Sequence, residues 1–565
     1  MSAQRETRGL GAQARPARSE LDPIGLEILW TRLIAIADEA ATTLVRTSFS
    51  PIVRESNDYS CVLFDHRGHA VAENTLGIPS FNAVMSRVMR HILARFPVGA
   101  WSPGDVVVTN DPWIASGHLP DVSCIVPVHL RDRHVGFIGS IAHMADIGGA
   151  IWSADSREVF EEGLRIPPTF LYRNGTADAT LVDIIRNNVR LPEQVLGDIH
   201  AQIAAGRLAA GRLVEVLDDV GLPDLTTPSD QVCARAESSM RQAIGAIPDG
   251  TYSHRLEMDG VDGHPIVIAV RIDVRGTEMH VDYGGTSPQV PRGLNTVMNY
   301  TDAYTCYPIK CAVDPLTPRN EGSYRPITVT APEGSLLNPR FPAAVNARQL
   351  VGHILSAAIY NALFPAIPGR VIAECGSAPT LRAVFSGTRR NRPEKFTSIL
   401  FVNGGMGARP GLDGLSCTCF PSNVVAGSME IIEAESPLIV WRKEFARDSG
   451  GGGRYRGGLG QHVEVEVRSD GPAVLSLFVD RISHPARGLD GGLPGAPAQV
   501  TVEGAVPQHL KGRNMVESGT RIRIRYPGGG GYGRPELRDP AAAARDLAGE
   551  LVSNPPAPDA GQSSS

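Results

Sequence analysis

The sequence predicts an α+β protein: a mixed helix-and-strand lobe that carries the candidate chemistry, followed by a β-rich lobe. Three observations predict it. Up to Asp249, apolar residues at helical spacing alternate with short β-branched runs. From Gly250 onward strands dominate, separated by turns that draw on the chain's 60 glycines and 43 prolines. Hydrophobic residues at 42% and charged residues at 20% are globular proportions, and 565 residues supply enough of them for a sizeable core.

Asp22-Pro23 offers an N-cap and a first-turn proline for an amphipathic helix from Ile24 to Thr47. Tyr59–Phe64 and His69–Ala72 flank the turn Asp65-His66-Arg67-Gly68 as a hairpin. A helix is expected over Asn82–Arg95, then a strand over Asp105–Thr109 that stops at Asn110-Asp111-Pro112. Val122–Leu130 and Val135–Ala142 form a second hairpin across Arg131-Asp132-Arg133. Helices follow over Leu181–Asn187 and Leu191–Asp219, the latter closed by Gly221-Leu222-Pro223. The texture changes near Pro248-Asp249-Gly250. Beyond it come a hairpin of Ile266–Val274 and Glu278–Tyr283, and strands at Ile327–Thr330, Val463–Val467, Ala473–Val479, Gln499–Val502 and Arg521–Tyr526. One helical island, Arg348–Leu363, interrupts them. The expected organisation is a disordered leader over residues 1–20, a mixed lobe over 21–250, a β-rich lobe over 251–535 and a solvated tail over 536–565.

Composition removes several function classes. A net charge of −6 and a pI near 6.2 leave no basic footprint for nucleic acid or for an anionic membrane surface. No apolar run reaches the roughly 18 residues of a membrane span, and the Arg-rich start has no apolar signal core. The lysines are Lys310, Lys395, Lys443 and Lys511, none followed by Ser or Thr, so a P-loop is excluded. Eight cysteines without a C-x-x-C pair fit free thiols in a reducing cytoplasm.

The chemistry concentrates between Asn110 and Asp146. If the second hairpin folds symmetrically about Asp132, Asp121 falls opposite His143, and their side chains share one face. His118 sits in the loop just before and can fold over them. Two imidazoles and a carboxylate at the open end of a hairpin suit a metal site with open positions, with Asp58 as a further carboxylate. Asp111 and Asp146 would orient the imidazoles through their other nitrogens. A one-residue slip would send Asp121 and His143 to opposite faces, and a hydrogen-bonded corner is the competing reading. His129 and His134 are expected to face solvent.

A second feature is the glycine-rich stretch Asp448–Gly460, with Arg454 and Arg456, echoed at Gly528–Gly531. Such loops can present backbone N–H groups to an anion or pack tightly against other turns. No G-x-G-x-x-G register follows a strand, and Gly-x-Ser-x-Gly is absent. Cys417 and Cys419 have no neighbouring group that would activate a thiol.

In order along the chain, Phe49-Ser50-Pro51, Arg54-Glu55-Ser56, Asp58-Tyr59-Ser60, Asn110-Asp111-Pro112, His118-Leu119-Pro120-Asp121, Ala142-His143, Asp146-Ile147-Gly148-Gly149 and Glu162-Gly163-Leu164-Arg165-Ile166-Pro167-Pro168 make one set. It continues through Asn188-Val189-Arg190, Gly285-Thr286-Ser287 and Asp448-Ser449-Gly450-Gly451 to Arg456-Gly457-Gly458-Leu459-Gly460. This set resembles the hydantoinase B/oxoprolinase family from about Leu21 to Pro535.

The resemblance implies a B-type subunit of an ATP-dependent enzyme that opens cyclic amides such as hydantoins, 5-oxoproline or lactams. It implies a hydantoinase A-type partner that binds ATP, a heterotetramer, and a cytoplasmic location. The metal ligands carry over to His118, Asp121 and His143, with Asp58 as a fourth, and the ion would be Mn, Zn or Fe. Asp146 or Asp121 would be the general base. Arg54, Met144 and His353 would border the substrate. Gly117 departs from the Thr expected before His118, Met144 stands where a second His is common, and Arg348–His353 is less polar than the family pattern. Relatives among acetone- and acetophenone-type carboxylases leave a carboxylase subunit as the alternative, and a non-catalytic scaffold as a third reading.

Overall fold

A computed structural model describes residues 21–150, 152–261 and 263–554. The expected leader lies outside the described residues, as does the end of the expected tail. No helix among the described residues is long and apolar enough to cross a membrane.

The first half is built on a seven-stranded antiparallel sheet of β1 (Tyr59–Asp65), β2 (Ala70–Glu73), β3 (Val106–Thr109), β4 (Asp121–Leu130), β5 (Arg133–His143), β6 (Thr169–Arg173) and β7 (Thr176–Ala177). The spatial order is β2-β1-β5-β4-β3-β6-β7. Both faces are covered. Helices α1 (Pro23–Thr47) and α5 (Pro192–Val220) lie on one face, against Cys61, Leu63, Val106, Val108, Cys124 and Val126. Alternate residues, Val62, Phe64, Val107, Ile125 and Ile141, point the other way and pack with α3 (Pro79–Arg95). Burial on both faces is why these strands read as nearly continuous apolar runs. The start of α1 is set as its sequence predicts: the Asp22 carboxylate accepts from the backbone N–H groups of Ile24 and Gly25, and Pro23 opens the helix. Short helices α2 (Pro51–Ser56) and α4 (Ala179–Asn188) complete this part.

Helix α6 (Thr226–Gly245) leads into a second sheet, β11-β10-β9-β8, formed by β8 (Gly250–Val261), β9 (His264–Arg275), β10 (Glu278–Asp282) and β11 (Ile327–Thr330). Helix α7 (Met298–Val313) lies between α3 and α9 (Leu355–Leu363). The expected helical island is broken: α8 (Gln349–Gly352) and α9 are separate segments. One apolar cluster runs from Ile52 to Tyr532, so the packing does not break where the texture changes at Gly250.

The remaining strands are β12 (Arg382–Thr388), β13 (Lys395–Leu400), β14 (Leu438–Phe445), β15 (Gln461–Val467), β16 (Ala473–Phe478), β17 (Gln499–Val502), β18 (Lys511–Val516) and β19 (Arg521–Arg525). They form two four-stranded sheets, β13-β12-β16-β18 and β14-β15-β19-β17. Alternate side chains of both sheets, among them Phe385, Leu475, Leu477, Val465 and Ile524, enclose one core, as in a sandwich. Helix α10 (Met429–Glu435) closes an end of it, where Ile432 joins the core. The expectation of a solvated tail from residue 536 is corrected over its described part. Helix α11 (Pro540–Ala548) follows Pro535, and its buried Asp546 pairs with Arg538 at 2.5 Å and Arg456 at 3.3 Å.

Candidate metal centre

Strand β4 begins with Asp121 and β5 ends with His143, and the two residues are direct partners in the ladder. That register depends on an irregularity near the turn. Val128 pairs with Gly136, but His129 pairs with His134, which leaves Val135 as one extra residue on the second strand. Without it Asp121 would sit opposite Ala142, and the two polar side chains would leave by opposite faces. The mouth is closed by backbone bonds: His143 N–H donates to the Asp58 carbonyl at 3.1 Å, and Met144 N–H to the Pro120 carbonyl at 2.8 Å.

His118 reaches the same point from the loop before β4. The Asn110 side chain pins that loop, donating to the Leu119 and Leu164 carbonyls at 2.7 and 2.9 Å and accepting from Ile166 N–H at 2.6 Å. Gly117 has φ +93°, and a Cβ there would lie 2.8 Å from Cδ of Arg348. The absence of a side chain at Gly117 leaves room for the Arg348 side chain.

Asp121 Oδ1 stands between the rings, 2.8 Å from His118 Nε2 and 2.8 Å from His143 Nδ1. Its other oxygen, Oδ2, accepts from Ser116 Oγ and from an NH2 group of Arg348, each at 2.5 Å. Ligand atoms of all three residues lie within 4.8 Å of one another, and all three residues are buried. The His118 Nε2 contact lacks the alignment of a hydrogen bond, so a buried ring nitrogen is left without a partner. His118 Nδ1 lies 3.2 Å from the Asn346 carbonyl, which fixes the ring with Nε2 turned inward. Burial, reinforced by the positive charge of Arg348, pushes the His118 imidazole down to about 4 and keeps it neutral near pH 7. Burial alone would raise the Asp121 carboxyl, but His118 and Arg348 outweigh it and hold it well below its ordinary value. A neutral His118 and an ionised Asp121 are the forms that bind a divalent cation, and the orphaned Nε2 is what such an ion would satisfy.

These residues line a pocket together with Asp58, Trp152, His353 and Arg382. Asp58 is buried but lies outside the tight cluster of ligand atoms. Burial pushes its carboxyl up to about 6, with Asp121 adding to the rise and His143 and Arg348 opposing it. Trp152 forms a wall, 5.1 Å from the His143 ring centre, and donates to the Asn346 carbonyl at 2.6 Å. That carbonyl is itself held in place: Val345 and Asn346 N–H both donate to Glu162 Oε1 at 2.8 Å.

The other expected residues are placed differently. Asp146 does not line the cavity that holds both imidazoles; it lines an adjoining one on the other side of His143, with Trp152 and Asn346. Its carboxylate is taken by Arg190, at 2.8 Å from NH1 and through the Arg190 backbone N–H, and by Gly148 N–H at 3.2 Å. Met144 is buried in the apolar core under α1 and α5, and with Asp146 it lines the cavity on the other side of His143. Arg54 pairs with Glu435 at 2.8 Å, away from the cavity. His353 does line the cavity, with Nδ1 3.0 Å from Thr380 Oγ1. Asp111 binds Arg165 and the Trp113 N–H, so the imidazoles are not oriented by Asp111 or Asp146; for His118 the Asn346 carbonyl does this.

The glycine-rich stretch is packing. Gly451 N–H donates to the Gly529 carbonyl at 2.8 Å, Gly457 N–H to Gly451 at 2.9 Å, and Gly458 N–H to Met406 at 2.8 Å. Arg456 is spent on the Gly457 carbonyl and Asp546. Burial pushes the Cys417 thiol up to about 12, which leaves no activated nucleophile there.

Comparison with known proteins identifies the family of the chain. A relative named for the B chain of a D-/L-hydantoinase from Pseudomonas sp. (strain NS671) is 31% identical, over 93% of this chain and 92% of its own. The crystal structure of the ATP-dependent caprolactamase from Pseudomonas jessenii superposes with a TM-score of 0.85 at 28% identity, covering 94% of this chain and 95% of that one. A nucleotide-free acetone carboxylase structure shares the fold at a TM-score of 0.85 and 19% identity, covering 94% of this chain and 78% of its own. With the Hydantoinase B/oxoprolinase family model matching residues 22–535, the chain belongs to the hydantoinase B/oxoprolinase family.

Proposed function

We propose that this chain is the B-type subunit of an ATP-dependent enzyme that opens a cyclic amide, a hydantoin, 5-oxoproline or lactam. The observation that carries the reading is the buried imidazole–carboxylate–imidazole cluster with an unpartnered ring nitrogen at one end of a cavity. Relatives named for a hydantoinase and a caprolactamase support the substrate class. The first of them is named as one subunit of its enzyme, which supports a partner here; we take it to be an A-type, ATP-binding chain in a heterotetramer. Use of ATP supports a cytoplasmic location for the assembly.

An amide carbon is a poor electrophile because nitrogen donates into the carbonyl. Phosphorylation of the carbonyl oxygen on the partner would make the carbon electrophilic: water adds to it, the C–N bond breaks as a proton passes to the ring nitrogen, and the acyl phosphate left behind loses its phosphate to a second water. His118, Asp121 and His143 would hold a divalent ion, Mn, Zn or Fe, in this chain. Such an ion, when bound, polarises an oxygen-bearing electrophile and lowers the pKa of water towards about 7. Asn346 keeps the His118 lone pair turned inward, and Arg348 with Ser116 keeps Asp121 ionised and fixed. Both oxygens of Asp121 are engaged, and those of Asp146 face Arg190. Asp58 is the remaining carboxylate on the cavity wall, and it would accept the proton of the attacking water.

The test is His118→Ala in the assembled complex. We expect metal content to fall to about a tenth or less, with ATP-coupled ring opening lost. Full turnover in that variant would sink the proposal. Turnover that requires bicarbonate would move the chain to the carboxylase class.

A further inference from the structure

Buried cations in this protein hold carboxylates. Arg348 pairs with Asp121 at 2.5 Å, Arg456 with Asp546 at 3.3 Å, Arg481 with Glu374 at 2.7 Å and Lys310 with Asp314 at 2.8 Å. Arg382 is the exception among the described residues. It is 3% exposed, opens β12, lines the cavity of the imidazoles, and has no carboxylate within ion-pair distance. Its NH1 group donates to the carbonyls of Leu381 and Val402 at 3.1 and 3.0 Å. Its NH2 group reaches only the sulfur of Cys419, at 4.0 Å, and the Phe401 ring lies 4.9 Å from the guanidinium carbon. The Asp58 carboxylate on the same wall feels Arg382 only from beyond ion-pair distance; a buried guanidinium with no carboxylate bonded to it is costly, and the other buried cations show how this fold avoids that cost.

A second side chain from a different element points to the same space. Gln349, at the start of α8, is 5% exposed and lines the cavity, and neither its Nε2 nor its Oε1 has a hydrogen-bond partner. An unsatisfied buried amide atom costs about 1–3 kcal/mol, so a ligand is expected to complete it.

Charge decides which ligand. The cavity wall carries two carboxylates, Asp58 and Asp121, against two guanidiniums, Arg348 and Arg382. These four charges cancel, so a divalent cation held here leaves two positive charges uncompensated. A monoanionic carboxylate would neutralise half of that. A phosphoryl dianion neutralises all of it, and its oxygens match the planar fork of arginine.

We infer that Arg382 and Gln349 form an oxyanion subsite in this cavity, which takes the phosphoryl group of an O-phosphorylated amide. Arg382 would hold the phosphoryl oxygens, and Gln349 would donate to one of them through Nε2 while Oε1 accepts from a water. The inference rests on the proposed function for its substrate, but its test reads anion affinity and metal content separately.

Inorganic phosphate and acetate are titrated calorimetrically into the full chain, with and without added Mn²⁺, and bound Mn²⁺ is measured on the same samples. Phosphate is expected to bind the Mn²⁺-loaded protein at least about tenfold more tightly than acetate. Arg382→Gln should weaken phosphate by about tenfold or more and Gln349→Leu by about threefold, with bound Mn²⁺ unchanged; Arg382→Lys should recover part of the loss. Unchanged phosphate affinity in an Arg382→Gln protein that melts like the parent would overturn the subsite. Acetate binding as tightly as phosphate would overturn the phosphoryl assignment. If Arg382→Gln does not fold, the wild-type anion preference and Gln349→Leu decide. A chain that binds no Mn²⁺ would count against the metal reading, while phosphate affinity in the ion-free protein would still report on Arg382.

Discussion

Two regions of this molecule look like ligand sites in the sequence, the mouth of the β4–β5 hairpin and the glycine-rich run from Asp448 to Gly460. Only in the first do several groups with unspent bonding capacity face a cavity. There His118 Nε2 and both amide atoms of Gln349 lack partners, and Arg382 has no carboxylate within ion-pair distance; in the second, Arg456 Nε lacks a hydrogen bond but lies 3.3 Å from the Asp546 carboxylate. In the glycine layer the backbone N–H groups of Gly451, Gly457, Gly458, Gly529, Gly530 and Gly531 are all donated to carbonyls of neighbouring segments. The glycines there make room for backbone. A Cβ on Gly458 would lie 2.0 Å from the Leu415 carbonyl oxygen, and one on Gly405 would lie 1.8 Å from that of Gly458. A binding site keeps donors and acceptors in reserve, whereas a packing motif uses them up.

The contrast can be broken most severely from the packing side. Gly458→Ala should cost about 3 kcal/mol or more, because the clash is with backbone, which cannot rotate away. Exposed Gly99, with nothing within 4 Å, should tolerate alanine with no loss. Paired urea titrations check this, and equal midpoints for the two variants would show that the layer is not close-packed.

At the site the loss should be one of rate. Asp58→Asn should retain the metal within about twofold yet lower turnover by about 100-fold, as expected when a proton acceptor is removed. Loss of the metal together with turnover would make Asp58 a fourth ligand instead.

Glu162 gives a smaller effect that depends on pH. Burial pushes its carboxyl up to about 8 from an ordinary value of 4.5, against the two N–H groups that it accepts. Between these values the folded protein keeps a proton that the unfolded chain releases. The protonated Glu162 therefore stabilises fully below about pH 4.5, and this contribution is lost as pH rises through 8. Glu162→Gln, which resembles the protonated form, should match wild-type stability near pH 5 and exceed it near pH 8. A constant difference across that window would contradict the assignment.

The smallest effect should come from Asp146→Asn. With Asp146 paired to Arg190 and outside the cavity that holds both imidazoles, the variant should change stability by about 1 kcal/mol at most and leave turnover within about twofold. A large loss of rate would restore Asp146 as the base.

Local sequence specifies the elements with a strong period and the pieces of the site that lie close in the chain. The α1 cap, the α5 helix and the β4–β5 hairpin are legible because one hydrophobic period or one turn signal specifies each. Asp121 and His143 are legible because a hairpin makes sequence distance a guide to contact. Helix α7 is not. It is buried nearly all round and contains Pro308, so it shows no amphipathic stripe and carries a residue that usually ends helices. Helix α11 lies in an Ala- and Pro-rich end whose composition resembles a solvated tail, yet Asp546 anchors it to Arg456 and Arg538.

What the amino-acid order determined by itself was the set of candidate ligands, two imidazoles and an aspartate close together in the chain around one hairpin. Only the tertiary structure decided how that cluster is held and what it faces. Arg348, Asn346, Gln349 and Arg382 come from more than 200 residues further along the chain, and Glu162 acts through one of them. No local period or spacing encodes such contacts. They arise when the apolar faces of the sheets and helices pack into one core, which brings buried polar groups from distant segments within hydrogen-bonding distance of one another.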